Sequence, residues 1–165
     1  MEAIVGIDPG AGGGIAVLIG HCVYDTLSLK NATETDIVQF LHPLTNGIDS
    51  ADDGLHPIFA FIERVHSSPQ MGVVSAFTFG RSYGFLRAAL MGVALPFDEV
   101  TPQKWQKAMG CLSGGDKNVT KAAAQRLFPK TTVTHAIADS LLIAEYGRRL
   151  RAGEIGNPKE KQGCS

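Results

Sequence analysis

Residues 2–20 read EAIVGIDPGAGGGIAVLIG, and this segment is the most informative about the fold. An apolar run over 2–7 ends in Asp8-Pro9-Gly10, a glycine-rich turn follows over 11–14, and a second apolar run covers 15–20. Residues 22–29 then alternate imperfectly between apolar and polar side chains. Short apolar runs joined by glycine-rich turns predict three strands in an antiparallel meander.

Beyond the meander, the pattern predicts helices that alternate with strands. Strands are predicted over 57–63 and 95–100, and loops over the polar segments 45–56 and 110–118. Helices are predicted over 33–44, 71–90, a segment opened by Thr101-Pro102, 119–128 and 136–151. The order βββαβαβααα predicts an α/β fold, a mixed sheet with helices on both faces. We expect one domain over 1–153 and a flexible tail over 154–165.

Composition excludes several classes of protein. With 165 residues, 44% hydrophobic and 19% charged, the chain is expected to form one globular domain rather than a disordered one. Three cysteines without metal-like spacing argue against a disulfide scaffold or a zinc ribbon, and favour a reducing compartment. We see no membrane span or signal peptide, so we expect a cytoplasmic protein with no membrane partner.

Charge is divided unevenly along the chain. Residues 1–63 carry nine Asp and Glu against one Lys, whereas residues 64–165 carry fourteen Lys and Arg against seven Asp and Glu. Solvated helix faces can produce such a division by chance. Alternatively, an acidic site in one part accompanies a phosphate-facing surface in the other.

Three carboxylates stand at positions where chemistry is often found. Asp8 ends the first predicted strand, and its ordinary alternative is an Asx-turn cap. Glu63 ends the buried strand over 57–63, where Arg64 or solvent would be its ordinary partner. Asp139 lies beside the apolar side of the last helix, one turn after His135, which can equally be a surface residue. Converging, these carboxylates would suit Mg²⁺, a hard cation that prefers oxygen ligands.

Four segments together resemble the RuvC-type Holliday junction resolvases, above all the small RuvC-like enzymes of bacteriophages and the related organellar resolvases. They are GIDPGAGGGIAV, FIERVHSSPQMGVVSAFTFGRSYGFLRAAL, EVTPQKWQKAMG and HAIADSLLIAEYG, in the family's order. The likeness covers residues 3–151. It implies an RNase H-like fold with a central five-stranded mixed sheet, and a homodimer that acts on four-way branched DNA. It further implies two Mg²⁺ or Mn²⁺ ions per site and symmetric hydrolysis that leaves 5′-phosphates.

The resemblance also assigns residues to roles. Asp8, Glu63 and Asp139 match the catalytic, metal-binding carboxylates. His135 is the fourth ligand if the family's four-residue spacing applies; if the three-residue spacing applies, Ala136 stands where that ligand has been lost. Lys117 is placed beside the reacting phosphate. The DNA-binding residues that we expect are His66, Arg81, Lys104, Lys107, Lys117 and Lys121.

Three other functions remain open at this point. A nuclease of the same fold could act on branched or flap DNA or on RNA, and Ala136 leaves room for a junction-binding protein without activity. An actin-like ATPase would need two such domains, and this chain supplies one. No Rossmann fingerprint or P-loop is present, so we expect no nucleotide cofactor. We interpret Trp105 as a core residue.

Overall fold

The computed structural model describes residues 2–50, 54–64, 71–112 and 114–156. In chain order, its strands are β1 (Ala3–Asp8), β2 (Gly14–Ile19), β3 (Cys22–Ser28), β4 (Ile48–Ser50), β5 (Gly54–His56), β6 (Ile58–Glu63) and β7 (Phe97–Val100). The α-helices are α1 (Glu34–Leu41), α2 (Val73–Gly92), α3 (Pro102–Ala108), α4 (Lys117–Leu127) and α5 (His135–Arg151), and a 3₁₀ helix spans His42–Asn46.

Five strands form one mixed sheet in the order β3-β2-β1-β6-β7. β1, β2 and β3 are antiparallel neighbours, whereas β6 runs parallel to β1 and β7 runs parallel to β6. The predicted α/β fold, with its mixed five-stranded sheet of three antiparallel strands followed by parallel ones, is therefore confirmed.

Several element bounds differ from the sequence-based expectations by a few residues, and two differences have a clear physical reason. The predicted loop over 45–56 contains the small hairpin of β4 and β5, in which the buried residues Ile48 and His56 pair. The polar residues around them hid this signal. Helix α4 begins at Lys117, two residues early, because the Asp116 side chain accepts a hydrogen bond from the Asn118 amide and caps the helix.

The sheet separates two hydrophobic cores, because side chains alternate between the faces of a strand. Ala3, Val5 and Ile7 of β1 join α1 and α2 on one face. Ile4 joins α3, α4 and α5 on the other face, toward which Gly6 and Asp8 also point. A Cβ at Gly6 would overlap the backbone of α5 at Ser140 and Ala144. A glycine is therefore needed where α5 crosses β1.

Ion pairs stabilise the C-terminal end of α5. The buried Glu145 carboxylate accepts hydrogen bonds from Arg148 and Arg149, and Arg148 also pairs with Glu154. Residues 157–165, most of the predicted tail, lie outside the described residues. Among the helices that are described, none is both long and apolar enough to cross a membrane.

Candidate active site

The site lies where β1 and β6 end side by side. The parallel register pairs Ile7 with Ile62, so Asp8 and Glu63 are the next residues on neighbouring strands. Both side chains point toward the face that carries α5, and neighbouring strands lie about 4.8 Å apart. The two carboxylates are thus fixed next to each other by backbone hydrogen bonds between strands.

Asp8 is buried at the entrance to the glycine-rich turn, with 9% of its surface exposed. Its Oδ1 accepts a hydrogen bond from the Gly10 amide at 3.0 Å, so the Asx-turn interpretation also holds. Burial raises the pKa of Asp8 to about 6, and the negative charge of Asp139 adds to the rise. The Gly10 hydrogen bond and the positive charge of Lys117 oppose it.

Gly13 shapes the pocket around this carboxylate. A Cβ at Gly13 would lie 2.7 Å from both Cγ and Oδ2 of Asp8 and would overlap the Asp8 carbonyl, whereas a Cβ at Gly12 would meet nothing within 4 Å. The two glycines of one turn are therefore a matched pair for mutation.

We expect Gly13→Ala to reduce any metal-dependent activity by roughly 10²-fold, because displacing a reacting group by about 1 Å costs on that order. Gly12→Ala should retain activity within about twofold, since the added methyl group meets no neighbour. Initial rates of both variants, with circular dichroism to confirm folding, provide the measurement. Equal rates for the two variants would contradict this account of the turn.

Glu63 is half-buried, and it is held by a residue that the sequence indicated only as core. The indole Nε1–H of Trp105 donates a hydrogen bond to Glu63 Oε1 at 2.8 Å. Burial raises the pKa of Glu63 to about 7, and the charge of Asp8 raises it further. The Trp105 hydrogen bond lowers it. Arg64, the expected ordinary partner, instead lies with its Nε 3.9 Å from Glu99.

Asp139 reaches the site from α5. Its charge raises the pKa values of Asp8 and Glu63, so the helix brings a third carboxylate to the strand ends. Asp139 Oδ1 is buried without a hydrogen-bond partner among the described residues. A buried carboxylate oxygen without a partner is costly, and it is the kind of atom that a cation would satisfy.

Lys117 is the cation of the cluster. It is the first residue of α4 and is exposed, and its charge lowers the pKa values of both Asp8 and Glu63. Of the predicted site residues, the structure thus brings Asp8, Glu63, Asp139 and Lys117 into one electrostatic cluster. His135 is exposed at the first residue of α5, one helical turn before Asp139.

The donor set fits a hard divalent cation, because three carboxylates act on one another electrostatically and one carries a buried oxygen that has no hydrogen-bond partner among the described residues. In the part of the chain that the structure describes, no three His, Cys, Asp or Glu side chains are grouped closely enough to hold an ion as they stand. The carboxylates therefore interact electrostatically without converging.

The remaining predicted DNA-binding residues differ in their surroundings. Lys104 and Lys107 are exposed on α3, and Lys121 is half-exposed on α4, so three of them share the α3–α4 side with Lys117. Arg81 lies on α2 and pairs with Glu34 at 3.1 Å, which offsets its charge. His66 lies outside the described residues.

This architecture is also found in solved structures of another protein. T. thermophilus RuvC in complex with Holliday junction substrate matches with a TM-score of 0.67 at 16% identity, over 92% of this chain and 96% of that chain. The chain has a RuvC-like fold. A second Thermus thermophilus RuvC structure matches with a TM-score of 0.63 at the same identity and coverage. No protein-family model matches, nor does any curated protein sequence. The likeness of this chain to RuvC is thus a likeness of fold.

Two features of the site escaped sequence reasoning. The Trp105 hydrogen bond joins residues 42 positions apart, which no local pattern reveals. A buried tryptophan usually has a hydrogen-bond partner for its N–H, and this preference could have indicated that Trp105 bonds to a polar group. The fit of Gly13 against Asp8 depends on the turn's conformation, which the run of three glycines does not specify.

Proposed function

We propose that this protein is a structure-selective endonuclease of the small, bacteriophage RuvC-like type. It hydrolyses phosphodiesters symmetrically in four-way DNA junctions and leaves 5′-phosphates. The observation that carries the proposal is the pairing of Asp8 and Glu63 on adjacent strand ends, faced by Asp139 and Lys117. A RuvC-like fold supports it, since T. thermophilus RuvC has been solved with a Holliday junction substrate.

Each residue of the cluster has a defined role in this proposal. Asp8, Glu63 and Asp139 hold Mg²⁺ or Mn²⁺, two ions per site, with His135 as a further ligand. When bound, the ions activate water and neutralise charge on the phosphate. Lys117 adds a positive charge beside the phosphate, where charge develops during the reaction. The glycine-rich turn keeps Asp8 in a single orientation.

The DNA is proposed to lie along the side of the molecule that carries α3 and α4. Lys104 and Lys107 lie on α3 and Lys117 and Lys121 on α4, and the charge of Lys117 acts on Asp8 and Glu63. Each phosphate contact is expected to steepen the slope of the logarithm of the binding constant against the logarithm of salt concentration by roughly 0.9. Arg81 and His66 are proposed to contact the DNA as well.

A second copy of the chain is proposed to cover α2. Along its outer side lie the large apolar residues Val73, Val74 and Phe77, which are 86%, 80% and 73% exposed. Gly80 and Gly84 continue this side of the helix, and a Cβ at either would meet nothing within 4 Å. Large exposed apolar groups next to small residues allow two helices to approach closely, which fits a homodimer.

We expect Phe77→Glu to convert the dimer into a monomer with the single-chain mass of 17.5 kDa, because it places a charge in the proposed interface. Paired nicks should then give way to unpaired ones. Leu55→Glu, on the 64% exposed Leu55 of β5, is the matched control and should leave the dimer intact. Light scattering after size exclusion provides the measurement, and a dimeric Phe77→Glu variant would rule out this interface.

The central test is nicking of a labelled four-way junction with a mobile core, in Mg²⁺ and in Mn²⁺, beside linear duplex and fork controls. Paired symmetric nicks in the junction alone support the proposal. Nicks in flaps, forks or RNA instead would indicate a different nuclease of the same fold.

One observation favours a second candidate, a junction-binding protein with weakened activity. Ala136 supplies no ligand three residues before Asp139, where the three-residue spacing of the family would place one. Tight junction binding without nicks in either metal would support this candidate. Ala136→Asp would then be expected to restore nicking.

A further inference from the structure

The strongest unexplained contact of the site is the one between Trp105 and Glu63. Trp105 is wholly buried in the core that also contains residues of α5. It lies on α3, which starts at Pro102, and its amide donates a hydrogen bond to the Thr101 carbonyl. Its only side-chain polar atom donates to Glu63 Oε1 at 2.8 Å. This distance lies within the range of well-formed N–H···O hydrogen bonds.

We propose that Trp105 is a positioning residue of the metal site: its indole N–H engages Oε1 of Glu63 and so directs the other oxygen, which accepts no hydrogen bond from Trp105, toward an ion. This inference rests on the proposed function, because it assumes that Glu63 is a metal ligand. It adds a residue that the sequence pattern indicated only as core and to which the resemblance assigns no role in the site.

The surroundings of Glu63 explain why such a partner is needed. Glu63 is half-buried beside Asp8, so both burial and a like charge oppose its ionised form. Arg64, the nearest cation in sequence, is turned toward Glu99. The Trp105 N–H therefore supplies the direct side-chain hydrogen bond that favours a charged, oriented Glu63. Partners that orient a metal ligand in this way commonly contribute about 10- to 100-fold in metal affinity.

Holding one oxygen also has a consequence for which ion is bound. Ca²⁺ commonly takes both oxygens of a carboxylate, whereas Mg²⁺ requires near-octahedral geometry and is bound through fewer protein oxygens. A Glu63 with one engaged oxygen favours the smaller ion. Trp105 is thus expected to contribute to discrimination against Ca²⁺ as well as to affinity.

The chain contains a single tryptophan, which permits an exact atomic test. Biosynthetic replacement of Trp105 by β-(3-benzothienyl)alanine exchanges the N–H for sulfur and retains the shape of the ring. We expect Mn²⁺ binding without DNA, measured by calorimetry and by the electron paramagnetic resonance of free Mn²⁺, to weaken about 10- to 100-fold. The ratio of Mn²⁺ to Ca²⁺ affinity should fall as well. Trp105→Phe should show the same losses.

A control substitution in the core distinguishes the proposed positioning of Glu63 by Trp105 from the contribution of Trp105 to packing of the core. Phe128→Leu alters a buried aromatic residue of the same core that does not bond to Glu63, and should lower the thermal midpoint without changing Mn²⁺ affinity. Unchanged Mn²⁺ affinity and ion preference in the benzothienyl protein would overturn the role of Trp105, even if the unmodified protein nicks junctions. Absence of Mn²⁺ binding by the unmodified protein would overturn both this inference and the proposed function.

Discussion

Asp8→Asn is expected to reduce junction nicking by more than about 10³-fold while leaving junction binding within about threefold of the parent. The carboxylate is the central oxygen donor of the proposed metal site, and an amide is a far weaker ligand for a hard cation. The asparagine side chain can still accept the Gly10 hydrogen bond through its Oδ1, so the turn should be preserved. Nicking rates and gel-shift affinities on the same four-way junction measure the two effects.

The same substitution is expected to stabilise the protein in the absence of metal. The pKa of Asp8 is raised from 3.8 to about 6 in the folded state, so the unfolded chain releases this proton at lower pH than the folded one does. Folding is therefore penalised progressively as pH rises from about 4 to about 6, and the full penalty applies above that range. The amide of the variant does not ionise, so it avoids a penalty of roughly 1–3 kcal/mol.

Thermal unfolding in a chelator, at pH 4 and at pH 7.5, tests this sign. The variant should be more stable than the parent at pH 7.5 and nearly equal to it at pH 4, and added Mg²⁺ should stabilise the parent more than the variant. Asp49→Asn, at an exposed position on β4, should alter neither stability nor nicking. A variant that nicks at the parental rate, or that is less stable than the parent at pH 7.5, would contradict the role assigned to Asp8.

The second large effect is expected at Gly6. A Cβ there would overlap the Ser140 carbonyl and the Ala144 amide of α5 and would lie 2.8 Å from the Ala144 side chain. Because the first two contacts are with backbone atoms of a buried helix, rotation of a side chain cannot relieve the overlap. We expect Gly6→Ala to destabilise the fold by about 3 kcal/mol, measured by urea unfolding.

Gly92→Ala is the control for this substitution. A Cβ at Gly92, near the end of α2, would meet nothing within 4 Å, so alanine should be neutral or stabilise the helix by up to about 1 kcal/mol. If Gly6→Ala unfolded at the same urea concentration as the parent, the close approach of α5 to β1 would be refuted.

Most of the sheet could be predicted from the sequence because its signals are local. The apolar runs and glycine-rich turns of 2–29 specify three strands, and the apolar run of 57–63 specifies β6. The strand-end positions of Asp8 and Glu63 followed from the same patterns. The hairpin of β4 and β5 escaped because its strands of three residues are too short to show alternation.

The details of the site could not be predicted because they depend on contacts between distant segments. That Arg64 turns toward Glu99 rather than Glu63 is determined by where β7 lies beside β6. The burial of Asp139 Oδ1, which has no hydrogen-bond partner among the described residues, depends on how closely α5 approaches the sheet. The burial that raises the pKa values of Asp8 and Glu63 likewise arises only when both cores have assembled.

Because the register between β1 and β6 sets the position of the carboxylates, metal binding depends on correct strand alignment during folding. Ile7 pairs with Ile62, and this alignment alone places Asp8 beside Glu63. A slip by one residue would turn Glu63 toward the opposite core and present Ile62 in its place, because successive side chains alternate in direction. A misaligned molecule could remain compact yet lack the carboxylate pair. In a refolded sample, the fraction of molecules that bind metal would then equal the fraction in which β1 and β6 are correctly aligned.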